Sequence, residues 1–205
     1  MPESKTIFLI RHAESKNNVD KREAKQLFRQ LLRGRLPSCQ QLRHVMALLR
    51  VDMNSGLSED GQAQVVKQHC ILREANFVEA NGVQLIAHSP LTRAEETFQG
   101  LFSDATATPK MLHAELFEKD IAEHIHWRRL DDRVARFETW LEDRPESSIV
   151  LVGHSAFFRA MVPGLKISNV DVWKVSYDPH STEAKWGPPL LLFPGAVAQR
   201  EHGEK

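Results

Sequence analysis

The chain has 205 residues, with 27 basic and 27 acidic side chains, so its formal net charge is +0 when histidine is neutral. This length suffices for one α/β domain with a sizeable core, and the balanced charge indicates neither a nucleic-acid nor a membrane partner. No apolar run approaches the length of a membrane span. The two cysteines, Cys39 and Cys70, match no metal-ligand spacing and no disulfide framework. Because the N-terminus carries no apolar signal segment, we expect a cytoplasmic protein with reduced thiols.

The first informative stretch is an apolar run that changes abruptly into polar residues. Ile7 to Ile10 has the length and β-branched content of a buried strand, and Arg11 and His12 follow it directly. Open α/β sheets bind ligands at the carboxyl ends of their strands, where the N-terminus of a following helix favours an anion. Arginine suits a phosphate, and a neutral imidazole can attack phosphorus. Taken alone, the pattern also fits a strand that ends in a surface Arg-His pair.

A second stretch repeats this pattern. Ser148 to Val152 is another short apolar run, Gly153-His154-Ser155 follows it, and Ala156 to Val162 is compatible with a helix. Parallel strands can place two such histidines at the same edge of a sheet. The repeated pattern therefore predicts one site that contains both His12 and His154.

The two stretches carry a resemblance to a known family. Leu9-Ile-Arg-His-Ala-Glu-Ser15, with Asn18, resembles the signature of the histidine phosphatase superfamily, which includes phosphoglycerate mutase-like proteins. Val152-Gly-His-Ser155 resembles the second histidine motif of that family, and Ala13 stands where many members have glycine. The resemblance covers most of the chain. It implies a three-layer α/β/α sandwich with a mostly parallel central sheet.

A basic segment lies between the first motif and the next one. We interpret residues 20–55 or thereabouts as a small helical cap inserted into a single domain that spans residues 1–205. Apolar residues at helical spacing predict two helices with a break at Leu36-Pro37-Ser38. The basic face is either solvated or attracts an anionic substrate to the site. Between Lys21 and Arg50, Glu23 is the one acidic residue, and the basic residues are Lys21, Arg22, Lys25, Arg29, Arg33, Arg35, Arg43 and Arg50.

Two further segments resemble motifs of the same family. Gly56 to Gln64 resembles "Leu-Ser/Thr-x-x-Gly-x-x-Gln" and predicts a helix that begins after Ser58, which we interpret as structural. Val83 to Ala87 predicts a strand, and the following His88-Ser-Pro-Leu-Thr-Arg93-Ala resembles "Ser-Ser-Pro-Leu-x-Arg-Ala". The match implies that Arg93 is the second phosphate-binding arginine rather than a surface residue of a helix. His88 replaces the first serine, and we expect it to cap a turn rather than line the site.

A carboxylic acid completes the expected catalytic residues. The alcohol part of a phosphomonoester would leave as an alkoxide, so a group that protonates its oxygen helps the reaction greatly. Such an acid must keep its proton near neutral pH. The family places this acid in a "Leu-x-Glu" context, which Leu116-Phe-Glu118 fits. Leu112-His-Ala-Glu115 fits less closely, because it has two residues instead of one between Leu and Glu. Phe117 and Asp120-Ile121-Ala122 depart from the arginine and glycine that many members have there. We predict Glu118 and keep Glu115 as the alternative.

Three histidines, His113, His124 and His126, invite a metal interpretation, but no cysteine or pair of acids completes a metal shell around them. We therefore expect neither a metal nor another cofactor. The remaining predicted elements are a helix over Asp131–Leu141 and strands over Val170–Tyr177 and Pro188–Phe193.

These observations predict a metal-independent phosphomonoester phosphatase with a phosphohistidine intermediate on His12 and a small or protein-borne phosphate ester as substrate. The resemblance implies that the phosphate is held by Arg11, Asn18, Arg93 and the charged form of His154, and that Glu118 protonates the leaving oxygen. Two alternatives stay open: a phosphoglycerate mutase-type transfer, and a phosphate-binding interaction protein without turnover. Mutases of the family are longer and carry an Arg/Tyr-containing motif after the acid, which this chain lacks. The oligomeric state is not predicted.

Overall fold

The structure is a computed structural model that describes residues 4–33, 54–118 and 127–195. Its strands are β1 (Lys5–Arg11), β2 (Leu85–His88), β3 (Lys110–Leu112), β4 (Ser148–Gly153), β5 (Val172–Tyr177) and β6 (Leu190–Phe193). The helices of the described residues are α1 (Lys16–Leu32), α2 (Glu59–Glu74), α3 (Phe77–Ala80), α4 (Thr92–Leu101), α5 (Trp127–Glu142) and α6 (Ser155–Met161), and a 3₁₀ turn spans Ala114–Leu116.

The described strands form one sheet in the order β3-β2-β4-β1-β5-β6. The first four in this order are parallel, whereas β5 runs antiparallel to β1, and β6 runs antiparallel to β5. In the register, Arg11 pairs with Gly153, and His88 pairs with Val152. The carboxyl ends of β1, β4 and β2 therefore lie side by side at one edge of the sheet.

Side chains of β1 alternate between two apolar cores, one on each face of the sheet. Ile7 and Leu9 belong to the first core, whereas Phe8 and Ile10 belong to the second, and all four are fully buried. Helices α5 and α6 add to the first core, and α2 to α4 add to the second. Burying each such side chain contributes about 1.5–3 kcal/mol, so both helical layers are held on the sheet mainly by apolar contact. The predicted α/β/α sandwich is confirmed.

Helix α2 contacts the first histidine motif directly. The Ser58 hydroxyl accepts a hydrogen bond from the Gly61 N–H (3.0 Å) and begins α2 at the predicted position. The Ser58 N–H in turn donates to the carbonyl oxygen of Glu14 (3.0 Å). A Cβ atom on Gly61 would lie 2.0 Å from that same oxygen, so a glycine is required where α2 meets the motif. The segment is therefore structural, as expected.

Several predicted boundaries differ from the structure by one or two residues, α5 begins at Trp127 instead of the predicted Asp131, and the short edge strand β3 was not predicted. Its exposed Lys110 and Leu112 show no buried alternation that a sequence pattern could reveal. The predicted helix break at residues 36–38 and most of the predicted cap lie outside the described residues, so the cap and the single-domain division stay predictions. In the described ranges, no helix combines the length and the apolar character that crossing a bilayer requires.

Candidate active site

The sheet register brings the two predicted histidines together. Because Arg11 pairs with Gly153, the next residue on each chain segment is a histidine at the same height of the sheet. The His12 N–H donates to the Gly153 carbonyl oxygen (3.0 Å), and the imidazole centroids of His12 and His154 are 5.0 Å apart. Two residues remote in sequence thus share one buried site at the edge where parallel sheets bind ligands.

The His12 ring is buried with one nitrogen committed to the backbone. Its Nδ1 lies 2.6 Å from the carbonyl oxygen of Ala13. A carbonyl can only accept, so Nδ1 carries the hydrogen and Nε2 carries the lone pair. Burial first, and then the positive charges of Arg93 and Arg11, lower the pKa of His12 from 6.5 to about 3. At neutral pH the ring is therefore uncharged, with an Nε2 that can act as a nucleophile.

The His154 ring is fully buried and is held from its opposite side. Its Nε2 lies 2.9 Å from the Ser89 hydroxyl, and its Nδ1 lies 3.9 Å from a carboxylate oxygen of Glu118. Among the described residues, Nδ1 has no hydrogen-bond partner. Burial, followed by the ring of His12 and the charge of Arg93, holds the pKa of His154 well below its usual range. The ring is thus neutral here, and the negative charge of a bound phosphate would favour the charged form expected from the sequence.

Two arginines supply positive charge to the same site. Arg93, in the first turn of α4, is 3% exposed and forms an ion pair with Glu118. Arg11 donates from Nη1 to the carbonyl oxygen of Ile167 (3.3 Å), and among the described residues its buried Nε has no partner. Burial lowers the pKa of Arg11, but arginine does not deprotonate in proteins. Buried charge is costly unless it is paired, so the Arg11 guanidinium, whose Nε has no partner among the described residues, favours an anionic ligand.

The two candidate acids differ in what their carboxylates contact. Glu118 contacts Arg93 and lies near His154 Nδ1, and its side chain is 33% exposed. The carboxylate of Glu115 instead accepts hydrogen bonds from Nε (2.9 Å) and Nη2 (3.1 Å) of Arg136 on α5. The geometry therefore places Glu118 near His154, whereas the carboxylate of Glu115 pairs with Arg136 on α5. Glu118 as proton donor stays a prediction, and this difference supports it.

Asn18 takes part in the capping of α1. Its Oδ1 accepts hydrogen bonds from the Ser15 N–H (3.2 Å) and the Ser15 hydroxyl (2.9 Å), which completes a capping box. A contact between Asn18 and phosphate stays a prediction, and the side-chain Nδ2 of Asn18 would have to make it.

His88, which we expected to cap a turn, stacks on Phe98 with 4.4 Å between the ring centroids. Its Nδ1 lies 3.0 Å from the Ser89 carbonyl oxygen.

The histidines considered for a metal are only partly described. His113 packs against Trp140 with 4.1 Å between centroids, and its Nδ1 accepts a hydrogen bond from the Glu115 N–H (3.3 Å). His124 and His126 lie outside the described residues. Within the described ranges, no group of three potential ligands could hold a metal ion.

Sequence reasoning missed the groups that hold the backbone around His12. The Asn169 amide donates to the His12 carbonyl oxygen (2.6 Å), and the Val170 N–H donates to the Arg11 carbonyl oxygen (2.9 Å). Val170 adopts a φ of 53°, a strained backbone for a β-branched residue that often marks functional sites. From the other side, the Thr97 hydroxyl accepts a hydrogen bond from the Ala13 N–H (3.0 Å). No local pattern marks Thr97 or Asn169, because both act on a segment distant in sequence.

Arg133 on α5 was also missed. It is 7% exposed, and its Nη1 donates to the carbonyl oxygens of Glu115 (3.2 Å) and Phe117 (2.6 Å). Its guanidinium also lies over the ring of Phe157, 4.9 Å from the centroid. Arg133 therefore holds the turn that carries Glu118. A signal existed in the sequence: Arg133 stands four residues before Phe137, on the apolar face of a predicted helix, where a cation is unexpected.

Comparison with known proteins gives structural matches only. No protein-family model matches the chain, and no curated protein matches it in sequence. YhfR of Bacillus stearothermophilus has a similar structure, with a TM-score of 0.57 and 17% identity over 95% of this chain and 98% of that one. The mycobacterial glucosyl-3-phosphoglycerate phosphatase solved with VO3 has a TM-score of 0.55 and 17% identity over 94% of this chain and all (100%) of the other.

A third similar structure is the phosphoserine phosphatase of Entamoeba histolytica, solved with 3-phosphoglyceric acid. Its TM-score is 0.53, with 15% identity over 95% of this chain and 98% of that chain. At such identities, the likeness establishes the fold and leaves activity and substrate to the chemistry of the site. The chain has the α/β fold of these structures, which is the fold that the resemblance of its two histidine motifs implied.

Proposed function

We propose that the chain is a metal-independent phosphomonoester phosphatase that forms a phosphohistidine intermediate on His12. The observation that supports it most is the pair of buried, neutral imidazoles 5.0 Å apart, with Arg11 and Arg93 charged beside them. One imidazole offers a lone pair for attack. The other, with the two guanidinium groups, offers hydrogen bonds and positive charge for the oxygens of a phosphoryl group.

In the first step, His12 Nε2 attacks phosphorus in line with the leaving group. The new N–P bond forms as the bond between phosphorus and the bridging oxygen breaks. Glu118, as the acid, gives its proton to that oxygen, so that an alcohol leaves instead of an alkoxide. The equatorial oxygens are held by Arg11, Arg93 and His154, which stabilise the spreading charge.

In the second step, water attacks the phosphohistidine. The carboxylate of Glu118 takes a proton from this water, so that the acid of the first step becomes the base of the second. The N–P bond breaks, inorganic phosphate leaves, and His12 returns to its neutral form.

The substrate class proposed is a phosphate monoester, either a small molecule or a phosphorylated protein. Glu118, the proposed acid, is 33% exposed, so solvent reaches its carboxylate. Two of the similar structures are named as phosphatases of phosphorylated small molecules. These names support the reaction class more than any one substrate.

Hydrolysis of p-nitrophenyl phosphate in the presence of EDTA tests the proposal. We expect steady turnover and a phosphoenzyme that an alkaline quench, which preserves the acid-labile N–P bond, traps from the wild type but not from His12→Ala. His69→Ala is the matched control, because His69 is a partly buried histidine on α2 whose Nδ1 contacts the Leu101 carbonyl oxygen. Tight phosphate binding without turnover would identify a binding protein. Transfer of the phosphoryl group to an added phosphorylated acceptor instead of water would identify a mutase.

The role of Glu118 is tested with two leaving groups. Glu118→Gln should lower kcat for alkyl phosphates by about 10²- to 10³-fold, and it should affect p-nitrophenyl phosphate much less because that leaving group needs little protonation. Glu115→Gln is the matched control, since its carboxylate pairs with Arg136. Equal losses on both substrates, or a larger effect of Glu115→Gln, would contradict the assignment.

A further inference from the structure

The Ser89 hydroxyl is fully buried at the carboxyl end of β2. The Ser89 N–H donates to the Val152 carbonyl oxygen (2.9 Å), which ties the residue to the end of β4. Its hydroxyl oxygen accepts a hydrogen bond from the Leu91 N–H (3.3 Å) and lies 2.9 Å from His154 Nε2. Ser89 is thus held at a defined position between a turn and the second histidine.

The hydrogen bonds of this hydroxyl determine the tautomer of the neutral histidine. A serine hydroxyl offers one donor and two acceptor sites, and the Leu91 N–H occupies one acceptor site. Within the described residues, no acceptor other than His154 Nε2 lies in hydrogen-bond reach of the Ser89 hydroxyl hydrogen. The hydroxyl therefore donates to Nε2, which must carry the lone pair, and the ring hydrogen stands on Nδ1.

The opposite side of the ring favours the same arrangement. His154 Nδ1 is buried, has no hydrogen-bond partner among the described residues, and lies 3.9 Å from the carboxylate of Glu118. An Nδ1–H is attracted by that carboxylate, whereas an Nδ1 lone pair would be repelled by it. Since Arg93 also contacts Glu118 here, a phosphate oxygen held by Arg93 would find the Nδ1–H within its reach.

The hydroxyl can stay in contact with the ring when its charge changes. When His154 gains a proton, Nε2 becomes a donor, and the second acceptor site of the Ser89 oxygen can take that hydrogen bond, at the cost of the only acceptor that the hydroxyl hydrogen has among the described residues. A carbonyl or an amide N–H in its place would fit only one of the two charge states. The Nδ1–H therefore faces the site whether His154 is neutral or charged.

We propose that Ser89 is a positioning residue that holds neutral His154 as its Nδ1–H tautomer, so that a ring hydrogen points at the bound phosphate in both charge states. The kinetic consequence rests on the proposed phosphatase function. The tautomer itself does not rest on that function, because it can be measured in the protein without any substrate turnover.

Nitrogen NMR of the protein labelled with ¹⁵N-histidine measures the tautomer directly. In the wild type near pH 7.5, we expect His154 as the neutral Nδ1–H form; in Ser89→Ala, the Nε2–H form, which free histidine prefers, should gain population. Ser148→Ala is the matched control, because Ser148 is also a buried serine of this sheet, whose hydroxyl donates to the Asn81 carbonyl oxygen (2.9 Å) at the far end of β4. A neutral wild-type His154 in the Nε2–H form would overturn the proposal, whether or not any variant folds.

Binding of inorganic phosphate gives the second readout. Wild-type affinity should not require a charged His154, whereas affinity in Ser89→Ala should fall by about tenfold, the size of one hydrogen bond, and should recover as the pH drops and the ring becomes charged. Ser89→Cys, which keeps a weak donor, should lie between the two, and Ser148→Ala should match the wild type. A Ser89→Ala variant with unchanged tautomer and unchanged pH dependence would also overturn the proposal. Absence of turnover in the wild type would refute the phosphatase while leaving both readouts valid.

Discussion

His12 and His154 follow neighbouring parallel strands, and both rings are buried, but their hydrogen bonds prepare them for different tasks. His12 gives its Nδ1–H to a backbone carbonyl oxygen and turns an Nε2 lone pair toward the site. In His154, Nε2 forms a hydrogen bond with the Ser89 hydroxyl, and Nδ1 faces the site. Equivalent positions on two strands thus carry the residues that we propose as nucleophile and donor, and the difference lies in the partner behind each ring.

The two partners also differ in what they permit. A carbonyl oxygen only accepts, so the Ala13 carbonyl holds His12 in one tautomer with its lone pair available. A hydroxyl both donates and accepts, so Ser89 lets His154 change charge without turning its ring. We infer that the proposed nucleophile needs a partner that fixes one tautomer, whereas the proposed phosphate-binding imidazole needs a partner that stays in contact when the charge of the ring changes. Four predictions test this comparison, in order of decreasing effect.

The largest effect is expected from removing each ring in turn. His12→Asn should lower kcat by about 10⁴-fold or more and abolish the trapped phosphoenzyme, because it removes the nucleophile. His154→Asn should lower kcat by about 10²- to 10³-fold, the loss typical of one group that stabilises transition-state charge, and should still give labelled protein. Quench experiments with radiolabelled substrate measure both quantities. Labelling of His12→Asn, or complete absence of labelling in His154→Asn, would break the comparison.

A smaller effect is expected from replacing Arg133, the buried cation that holds the turn before Glu118. Arg133→Met removes the hydrogen bonds to the Glu115 and Phe117 carbonyl oxygens that hold the Glu118 turn. We expect kcat for alkyl phosphates to fall by about 10- to 100-fold with a smaller loss for p-nitrophenyl phosphate, since displaced acids donate protons poorly. Arg136→Met is the control, because Arg136 binds the carboxylate of Glu115 instead. Equal effects of both variants on both substrates would show that Arg133 only supports the fold.

The neutral rings should also make stability depend on pH. The pKa of His12 falls from 6.5 in the unfolded chain to about 3 in the folded protein, so the unfolded state binds more protons between these values. The free energy of unfolding should therefore drop as the pH falls below 6.5, by about 2 kcal/mol between pH 7 and pH 5 from His12 alone. Urea denaturation at both pH values measures this drop in the wild type and in His12→Asn. The drop should be smaller in the variant, and an equal drop in both proteins would contradict the burial of a neutral ring.

The smallest effect concerns a buried polar group away from the histidines. Gln68 on α2 is fully buried, and among the described residues neither end of its amide has a hydrogen-bond partner. In the site, the unpartnered Nδ1 of His154 has a proposed use, whereas this amide has none. Gln68→Met should therefore raise the free energy of unfolding by about 1–2 kcal/mol and leave kcat unchanged. Urea denaturation checks this, and a destabilised variant would show that the amide has a partner.

Local sequence patterns predicted most of the fold for identifiable reasons. The apolar runs of β1 and β4 are buried on both sides, so they are almost uninterrupted in sequence. Ser58 caps α2 where a short polar side chain precedes acids and then an apolar face. The edge strand β3 escaped prediction because exposed edge residues carry no such pattern. Within the site, Arg11 and His12 were visible because a cation and an imidazole directly follow a buried strand.

By itself, the sequence determined which strands are buried, where the main helices begin, and that two strand ends carry a histidine, because each of these depends on neighbouring residues. Tertiary structure alone decided which group lies behind the His154 ring and which side chain holds the His12 backbone. Ser89 stands 65 residues from His154, and Asn169 stands 157 residues from His12. The choice between Glu118 and Glu115 as the acid near the histidines also depends on Arg93, Arg133 and Arg136, which lie on other helices. A hydrogen bond across such distances depends on the register of the sheet and the packing of helices on it, which no short stretch of sequence contains.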